Sequence, residues 1–202
     1  MRIFLCDVGN IPQDVLKKAA NALPKERAPR EDMHAHAFAA RVAGTLLAIY
    51  AVKQISPETV CENWEKDTLG KPFIKGCPLH FSITHAHGLV GVAVSEKHPV
   101  GLDLEMSRPM REGFAARYFS EAEQAVIRHA DDTDEVLIRL WTAKEAVGKY
   151  HGTGLSGDPA AIDTQNAAST VLEKAGVRYA LSIAPKCALS TLEWVNFDDL
   201  VP

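Results

Sequence analysis

Two short segments of this chain carry side chains whose types and spacing suit chemistry. The first is Val100-Gly101-Leu102-Asp103-Leu104-Glu105. Its period of two sends Val100, Leu102 and Leu104 to one strand face and Gly101, Asp103 and Glu105 to the other. Two carboxylates beside a glycine that leaves approach open read as hard-cation ligands beneath a ligand that needs room. The second segment runs from Trp141 through Thr142-Ala143-Lys144-Glu145 to Lys149. As a helix it places Trp141, Glu145 and Lys149 at i, i+4 and i+8 on one side. Three carboxylates and a lysine suit Mg²⁺ and phosphate better than zinc, because Mg²⁺ prefers oxygen and keeps water and phosphate as ligands. Trp141 turns the stripe toward protein, so Glu145 and Lys149 are expected to be partly buried, where a metal or phosphate supplies a missing partner.

Other polar residues carry weaker signals. His85 ends a strand in Thr84-His85-Ala86-His87-Gly88, and Lys71 stands between Gly70 and Pro72. The pairs His34-x-His36 and His85-x-His87 invite a transition-metal reading. The first fails because i and i+2 do not share a helix face, and the second lacks a third ligand at a recognisable spacing. Lys144 points elsewhere on its helix and is given at most a supporting role. Phe119 is expected in the core.

The elements that must hold these residues follow from patterning. Arg2 to Val8 reads as an opening strand. Phe38, Val42, Leu46 and Ile49 define a long amphipathic helix over Glu31 to Ile55. Ser56-Pro57-Glu58 predicts a short helix capped by Ser56, ended by the loop Gly70-Lys71-Pro72. Leu79 to Thr84, Leu89 to Ser95 and Val100 to Glu105 read as three strands of one antiparallel sheet. Ser120-Glu121-Ala122-Glu123 is a capping box opening a helix toward Ala130, and Glu135 to Tyr150 is a second long helix. Val177 to Phe197 reads as two strands broken at Pro185-Lys186. A long helix followed by strands therefore occurs twice.

The 202 residues can bury a sizeable core, and 47% hydrophobic with 24% charged residues is ordinary for a globular protein. A net charge of −4 gives no general attraction to nucleic acid or to an anionic membrane. The four scattered cysteines lack C-x-x-C spacing, which favours a reducing cytoplasm over a disulfide scaffold. The N-terminal apolar run is too short for a signal peptide. The run Val42 to Val52 falls short of a bilayer span, so no transmembrane segment is expected.

Five fragments in order, Gly70-Lys71-Pro72, Phe81-Ser82-Ile83-Thr84-His85, Gly101-Leu102-Asp103-Leu104-Glu105, Arg117-Tyr118-Phe119-Ser120-Glu121-Ala122-Glu123 and Trp141-Thr142-Ala143-Lys144-Glu145 with Lys149, carry a resemblance. The chain resembles the 4′-phosphopantetheinyl transferases, specifically the two-lobed, surfactin-synthetase-activating type. That resemblance implies an α/β (α+β) fold of two similar lobes related by a pseudo-two-fold, residues 1–100 and 101–202, each a long helix on a small antiparallel sheet, with the site at the lobe interface. It implies transfer of the 4′-phosphopantetheine arm from coenzyme A to a serine of an apo acyl or peptidyl carrier protein, as a holo-acyl-carrier-protein synthase does. Mg²⁺ would be held by Asp103, Glu105 and Glu145, with Glu145 also the base and Lys149 on the phosphates. His85, with Thr84 nearby, would contact the ribose phosphate of coenzyme A, Lys71 would line the nucleotide pocket, and Arg41 would bind the terminal phosphate. The chain departs from the commoner asparagine at Ser82 and serine at Ala86. A cytoplasmic monomer is the expected form, with neither nucleic acid nor membrane as partner. Two alternatives share the residues: a Mg²⁺-dependent phosphodiesterase or nuclease, and a non-catalytic module binding coenzyme A or a carrier protein.

Overall fold

The computed structural model describes every residue except Glu31, Ala188, Ser190, Thr191 and Pro202. In chain order the elements are β1 (Arg2–Asp7), α1 (Gln13–Ala20), α2 (Ala35–Lys53), β2 (Trp64–Lys66), β3 (Pro72–Ile74), β4 (His80–Ala86), β5 (Leu89–Ser95), β6 (Gly101–Met106), α3 (Phe114–Tyr118), α4 (Glu121–Arg128), α5 (Thr133–His151), β7 (Ala168–Lys174), β8 (Val177–Ala184) and β9 (Leu192–Trp194). Short 3₁₀ turns lie at Lys25–Arg27, Pro159–Ala161 and Phe197–Leu200. The chain is therefore a mixed α/β protein with small, mainly antiparallel sheets, and it divides into two compact units, Met1–Val100 with Ser190–Pro202, and Gly101–Leu189. Strand β9 belongs to the first unit, where it pairs in parallel with β1 through Ile3↔Leu192 and Leu5↔Trp194.

The first unit is a four-stranded sheet in the order β4-β5-β1-β9, with α2 packed on it. Strand β5, flanked by β4 and β1 and packed against α2, is buried at every residue. Val42, Leu46, Leu47 and Ala51 of α2 meet Phe4, Val90, Val92 and Val94 in one apolar core, each large side chain contributing about 1.5–3 kcal/mol. Helix α2 is long and apolar enough to cross a membrane by length and composition, contrary to the expectation drawn from the shorter run Val42 to Val52, and it serves here as the core helix of this unit. The predicted start of α2 at Glu31 lies outside the described residues. The helix expected after Ser56 is a single turn, closed by Thr59 N to Ser56 O at 3.1 Å, with Thr59 Oγ1 bonded to Ser56 Oγ at 2.8 Å. One turn does not repay helix nucleation, and β-branched Thr59 and Val60 leave directly for the hairpin β2–β3.

The second unit is the sheet β6-β8-β7 with α5 against it. β6 was expected beside β4 and β5; instead it pairs antiparallel with β8, from Gly101↔Ala184 to Met106↔Tyr179. Helix α4 opens with the predicted capping box: Ser120 Oγ accepts Glu123 N at 3.3 Å, and Glu123 Oε2 accepts Ser120 N at 2.8 Å. Asp132 caps α5 by accepting Glu135 N at 2.9 Å, and Gly152 ends it in the left-handed conformation.

Candidate active site

The second unit brings Asp103, Glu105, Glu145 and Lys149 together because α5 lies unusually close to β6. A Cβ on Gly101 would collide with the Ala146 carbonyl oxygen and the Tyr150 amide nitrogen. The glycine is thus required for contact between helix and strand, rather than for the approach of a ligand as its sequence setting suggests. The face that holds Gly101 also holds Asp103 and Glu105, so the helix faces both carboxylates. Trp141, one turn before Glu145, stands against Phe114 and Tyr118 with ring centroids 5.0 and 5.2 Å away. This aromatic anchor sets the rotation of α5, so Glu145 and Lys149 point toward β6.

The electrostatics are dominated by crowded carboxylates. Lys149 Nζ donates to Asp103 Oδ1 at 2.6 Å and to the Leu102 carbonyl at 3.1 Å. Asp103 is buried, its side chain only 8% exposed. Burial raises the Glu105 carboxyl above its ordinary value; the Asp103 charge raises it further, while Arg108 and Lys149 oppose. Burial likewise raises Glu145, with Asp103 and Glu105 adding to the shift and Lys149 opposing it. Each carboxylate therefore feels the others, as happens where negative charge is gathered without a full complement of cations. Among the described residues no three His, Cys, Asp or Glu side chains close into a ready-made metal cage. The donor set is all oxygen and mutually repelling, which suits a hard divalent cation completed by water or phosphate.

Two features at this site escape sequence reasoning. Lys144, adjacent to Glu145, is fully buried: Nζ pairs with Glu123 Oε1 at 2.9 Å, donates to the Pro159 and Ile162 carbonyls at 3.0 and 3.2 Å, and lies 5.5 Å from the Phe119 ring centroid. It ties α5 to α4 and to the segment at 159–162. Phe119 is buried as expected. The second feature is a row of hydroxyls, in which Ser182 Oγ lies 2.7 Å from both Thr142 Oγ1 and Ser169 Oγ. Ser182 is the cross-strand partner of Asp103, so the row locks α5 onto the sheet beside the carboxylates. Its only sequence signal is a hydroxyl in each of three apolar-patterned segments.

The remaining predicted residues lie in the first unit. His85 and His87 share a cavity of about 180 Å³ with His36, near the start of α2. The two-residue turn His87-Gly88 has positive φ at both positions, 40° and 87°, and a Cβ on Gly88 would come within 2.9 Å of Gly9 Cα. His85 is exposed at this cavity, whereas Thr84 is buried and absent from its lining, because strand alternation sends it to the opposite face. The structure thus joins His85 to His36 and separates it from Thr84. Lys71 Nζ donates to the Val100 carbonyl at 2.7 Å. Arg41 donates to the Arg27 and Glu26 carbonyls, each at 3.0 Å, and so braces the 3₁₀ turn that precedes α2. Arg27 is itself buried over Trp64, and burial pushes its guanidinium down to about 10.

Residues 99–193 match the family model of the 4′-phosphopantetheinyl transferase superfamily. The chain is 29% identical over 147 residues to a 4′-phosphopantetheinyl transferase of Bacillus subtilis, covering 71% of this chain and 65% of that one. It is 33% identical over 90 residues to the 4′-phosphopantetheinyl transferase Sfp of Bacillus subtilis strain 168, 43% of this chain and 40% of that protein. It is 35% identical over 88 residues to the 4′-phosphopantetheinyl transferase AcpT of Escherichia coli K12, 41% of this chain and 45% of its relative. The chain thus covers less than two thirds of the length of each of these relatives.

Proposed function

From a chain whose residues 99–193 belong to the 4′-phosphopantetheinyl transferase superfamily, we propose an enzyme that transfers the 4′-phosphopantetheine arm of coenzyme A to a serine of an apo carrier protein. The serine oxygen attacks the β-phosphorus, a new phosphodiester forms, and the pyrophosphate bond breaks to release 3′,5′-ADP. The observation that carries this reading is the gathering of Asp103, Glu105, Glu145 and Lys149 on β6 and α5, within the matched region.

Asp103, Glu105 and Glu145 are the residues that would hold Mg²⁺, which when bound would offset the negative charge of the pyrophosphate. Glu145 is the group that takes the serine proton. Lys149 holds positive charge beside Asp103, where charge develops on the departing bisphosphate. His85, Lys71 and Arg41 of the first unit are proposed for the phosphorylated nucleotide end of coenzyme A. Thr84, being buried, would act only as structural support for β4. The similar build of the units, each with a 19-residue helix on a wholly or mainly antiparallel sheet, supports reading them as pseudo-two-fold lobes. The buried thiols Cys6 and Cys61 support a cytoplasmic setting, and a monomer is proposed because the chain supplies the whole residue set.

The test is to mix the protein with coenzyme A, Mg²⁺ and an apo carrier protein and weigh the carrier by mass spectrometry. Addition of one phosphopantetheine, lost in Asp103→Ala and Glu145→Ala, is the expected result. An unmodified carrier across fatty-acid, polyketide and peptide-synthetase types would refute the reading.

A further inference from the structure

A line of hydroxyls runs beneath α5. Asp103 of β6, Ser182 of β8 and Ser169 of β7 are cross-strand partners in one row of the sheet, and such partners share a face. That face meets α5, since a Cβ on Gly101, two residues before Asp103, would strike the Ala146 carbonyl oxygen. Thr142 of α5 stands over the middle of the row. Its Oγ1 is 2.7 Å from Ser182 Oγ, which is itself 2.7 Å from Ser169 Oγ. Thr142 and Ser182 are completely buried.

Counting protons gives these bonds a direction. A hydroxyl has one proton to donate. Thr142 donates its own to the Arg139 carbonyl at 3.1 Å, so it accepts from Ser182, and Ser182 in turn accepts from Ser169. The row therefore ends on helix backbone. Three apolar side chains could fill this space without burying polar groups. What hydroxyls permit and methyls do not is nearness. Oxygens sharing a proton settle at about 2.7–2.8 Å, whereas carbon contacts settle at about 3.5–4.0 Å, roughly 1 Å farther apart.

Glu145 lies between two close approaches of helix and sheet. Thr142, three residues before it, meets Ser182, the cross-strand partner of Asp103. Ala146, the next residue, passes so near Gly101 that no Cβ fits there. Thr142, Glu145 and Ala146 stand at i, i+3 and i+4 on one helix face. The two contacts together set how far Glu145 stands from the carboxylates of β6. That distance matters to a cation. Mg²⁺ takes oxygens at about 2.0–2.1 Å with little tolerance, while Ca²⁺ takes them at about 2.3–2.6 Å in flexible arrangements.

We infer that Thr142 and Ser182 are positioning residues, which hold α5 near enough to β6 for Asp103, Glu105 and Glu145 to favour Mg²⁺ over the larger Ca²⁺. The inference rests on the metal assignment within the transfer reading above and adds what sets its selectivity. Both hydroxyls act through Glu145, by way of the helix that carries it. Ser169 completes the bonding of Ser182 from the side away from β6, and it does not meet α5 through this row.

Calorimetric titration of Mg²⁺ and of Ca²⁺ into the protein, with and without coenzyme A and with no carrier present, gives both affinities. The proteins compared are the parent, Thr142→Val, Thr142→Ser and Ser169→Ala. Thr142→Val sets a methyl where the hydroxyl was and pushes the helix outward. Its Mg²⁺ affinity should fall about tenfold relative to its Ca²⁺ affinity, the scale of loss when outer partners of metal ligands are changed. Thr142→Ser keeps the hydroxyl and should keep the parental ratio of affinities, as should Ser169→Ala. A hydroxyl with a structural role alone would lower the melting temperature of Thr142→Val and leave the ratio unmoved, and that result overturns the inference. Should Thr142→Val fail to fold, Ser182→Cys, which sets a larger sulfur at the same contact, makes the same comparison. Carrier modification is weighed separately. A parent that modifies the carrier while the ratio stays unmoved refutes the positioning role alone. A parent that never modifies a carrier, while the ratio shifts in Thr142→Val, refutes the transfer reading and supports the positioning role.

Discussion

Lys149 Nζ and Asp103 Oδ1 are 2.6 Å apart, joining α5 to β6 across 46 residues of sequence. The aspartate is nearly buried and the lysine about 29% exposed, so the pair is worth more than an exposed ion pair and is costly to break from one side. Lys149→Met leaves Asp103 as a desolvated charge and is expected to destabilise the protein by about 1–3 kcal/mol. Asp103→Asn in the same background should recover part of that loss. Urea unfolding of the four proteins of this double-mutant cycle measures the coupling. Additive effects would mean that the pair contributes nothing.

The raised carboxyls of Glu105 and Glu145 give stability a particular pH slope. Both bind protons more tightly folded than unfolded, so in metal-free buffer stability is highest below the ordinary carboxylate value of 4.5 as far as these groups are concerned. It falls as pH rises from there through their raised values. Glu105→Gln/Glu145→Gln should flatten that slope, and Mg²⁺ should offset it in the parent but not in the variant. Thermal melts across pH, with and without Mg²⁺, check both. A parent slope matched by the double variant would remove these two residues from the account.

His85 is exposed at the cavity it shares with His36 and His87. If it meets the ribose phosphate of coenzyme A, His85→Ala loses a charge-assisted hydrogen bond of about 1.5–3 kcal/mol. KM for coenzyme A should rise at least tenfold while KM for 3′-dephospho-coenzyme A barely changes. Equal losses on the two substrates would make His85 structural only.

Gly101→Ala is expected to cost more than about 3 kcal/mol, or to prevent folding, since both atoms its Cβ would strike belong to helix backbone. Gly70→Ala meets no atom within 4 Å, though its φ of 91° still carries strain, so it should lose far less. Denaturant midpoints of the two variants rank the effects.

Cys6 is completely buried, and its thiol is pushed up to about 12, chiefly by that burial. It should resist thiol reagents in native buffer and react only on unfolding. Half-buried Cys77 should be modified first. Mass mapping after brief labelling distinguishes them, and native labelling of Cys6 would contradict the packing of β1.

Local signals were the readable ones. The Ser120–Glu123 box needs only neighbouring residues, and the apolar periods of α2 and α5 span several turns. The extent of β6 followed from alternation, but the sheet that it joins did not, because its partner β8 begins at Val177. Lys144 reads only as a lysine pointing elsewhere on its helix, since Glu123, Pro159 and Ile162 meet it only in the folded chain. The four candidate residues on β6 and α5 were visible from spacing. The reason for Gly101 was not, because a helix backbone in contact leaves no mark on the strand's own pattern.

The pairing of β9 with β1 has a consequence for synthesis. The Glu193 carboxylate, which grips Arg2 through bonds of 2.7 and 2.6 Å, is made 191 residues after it. All of the second unit is translated between them. While the ribosome is still at work, the outer edge of β1 must wait as an open strand, the kind of surface on which nascent chains associate with one another. Removing residues 192–201 should therefore harm the amino-terminal sheet first and lower soluble yield before it touches the carboxylates.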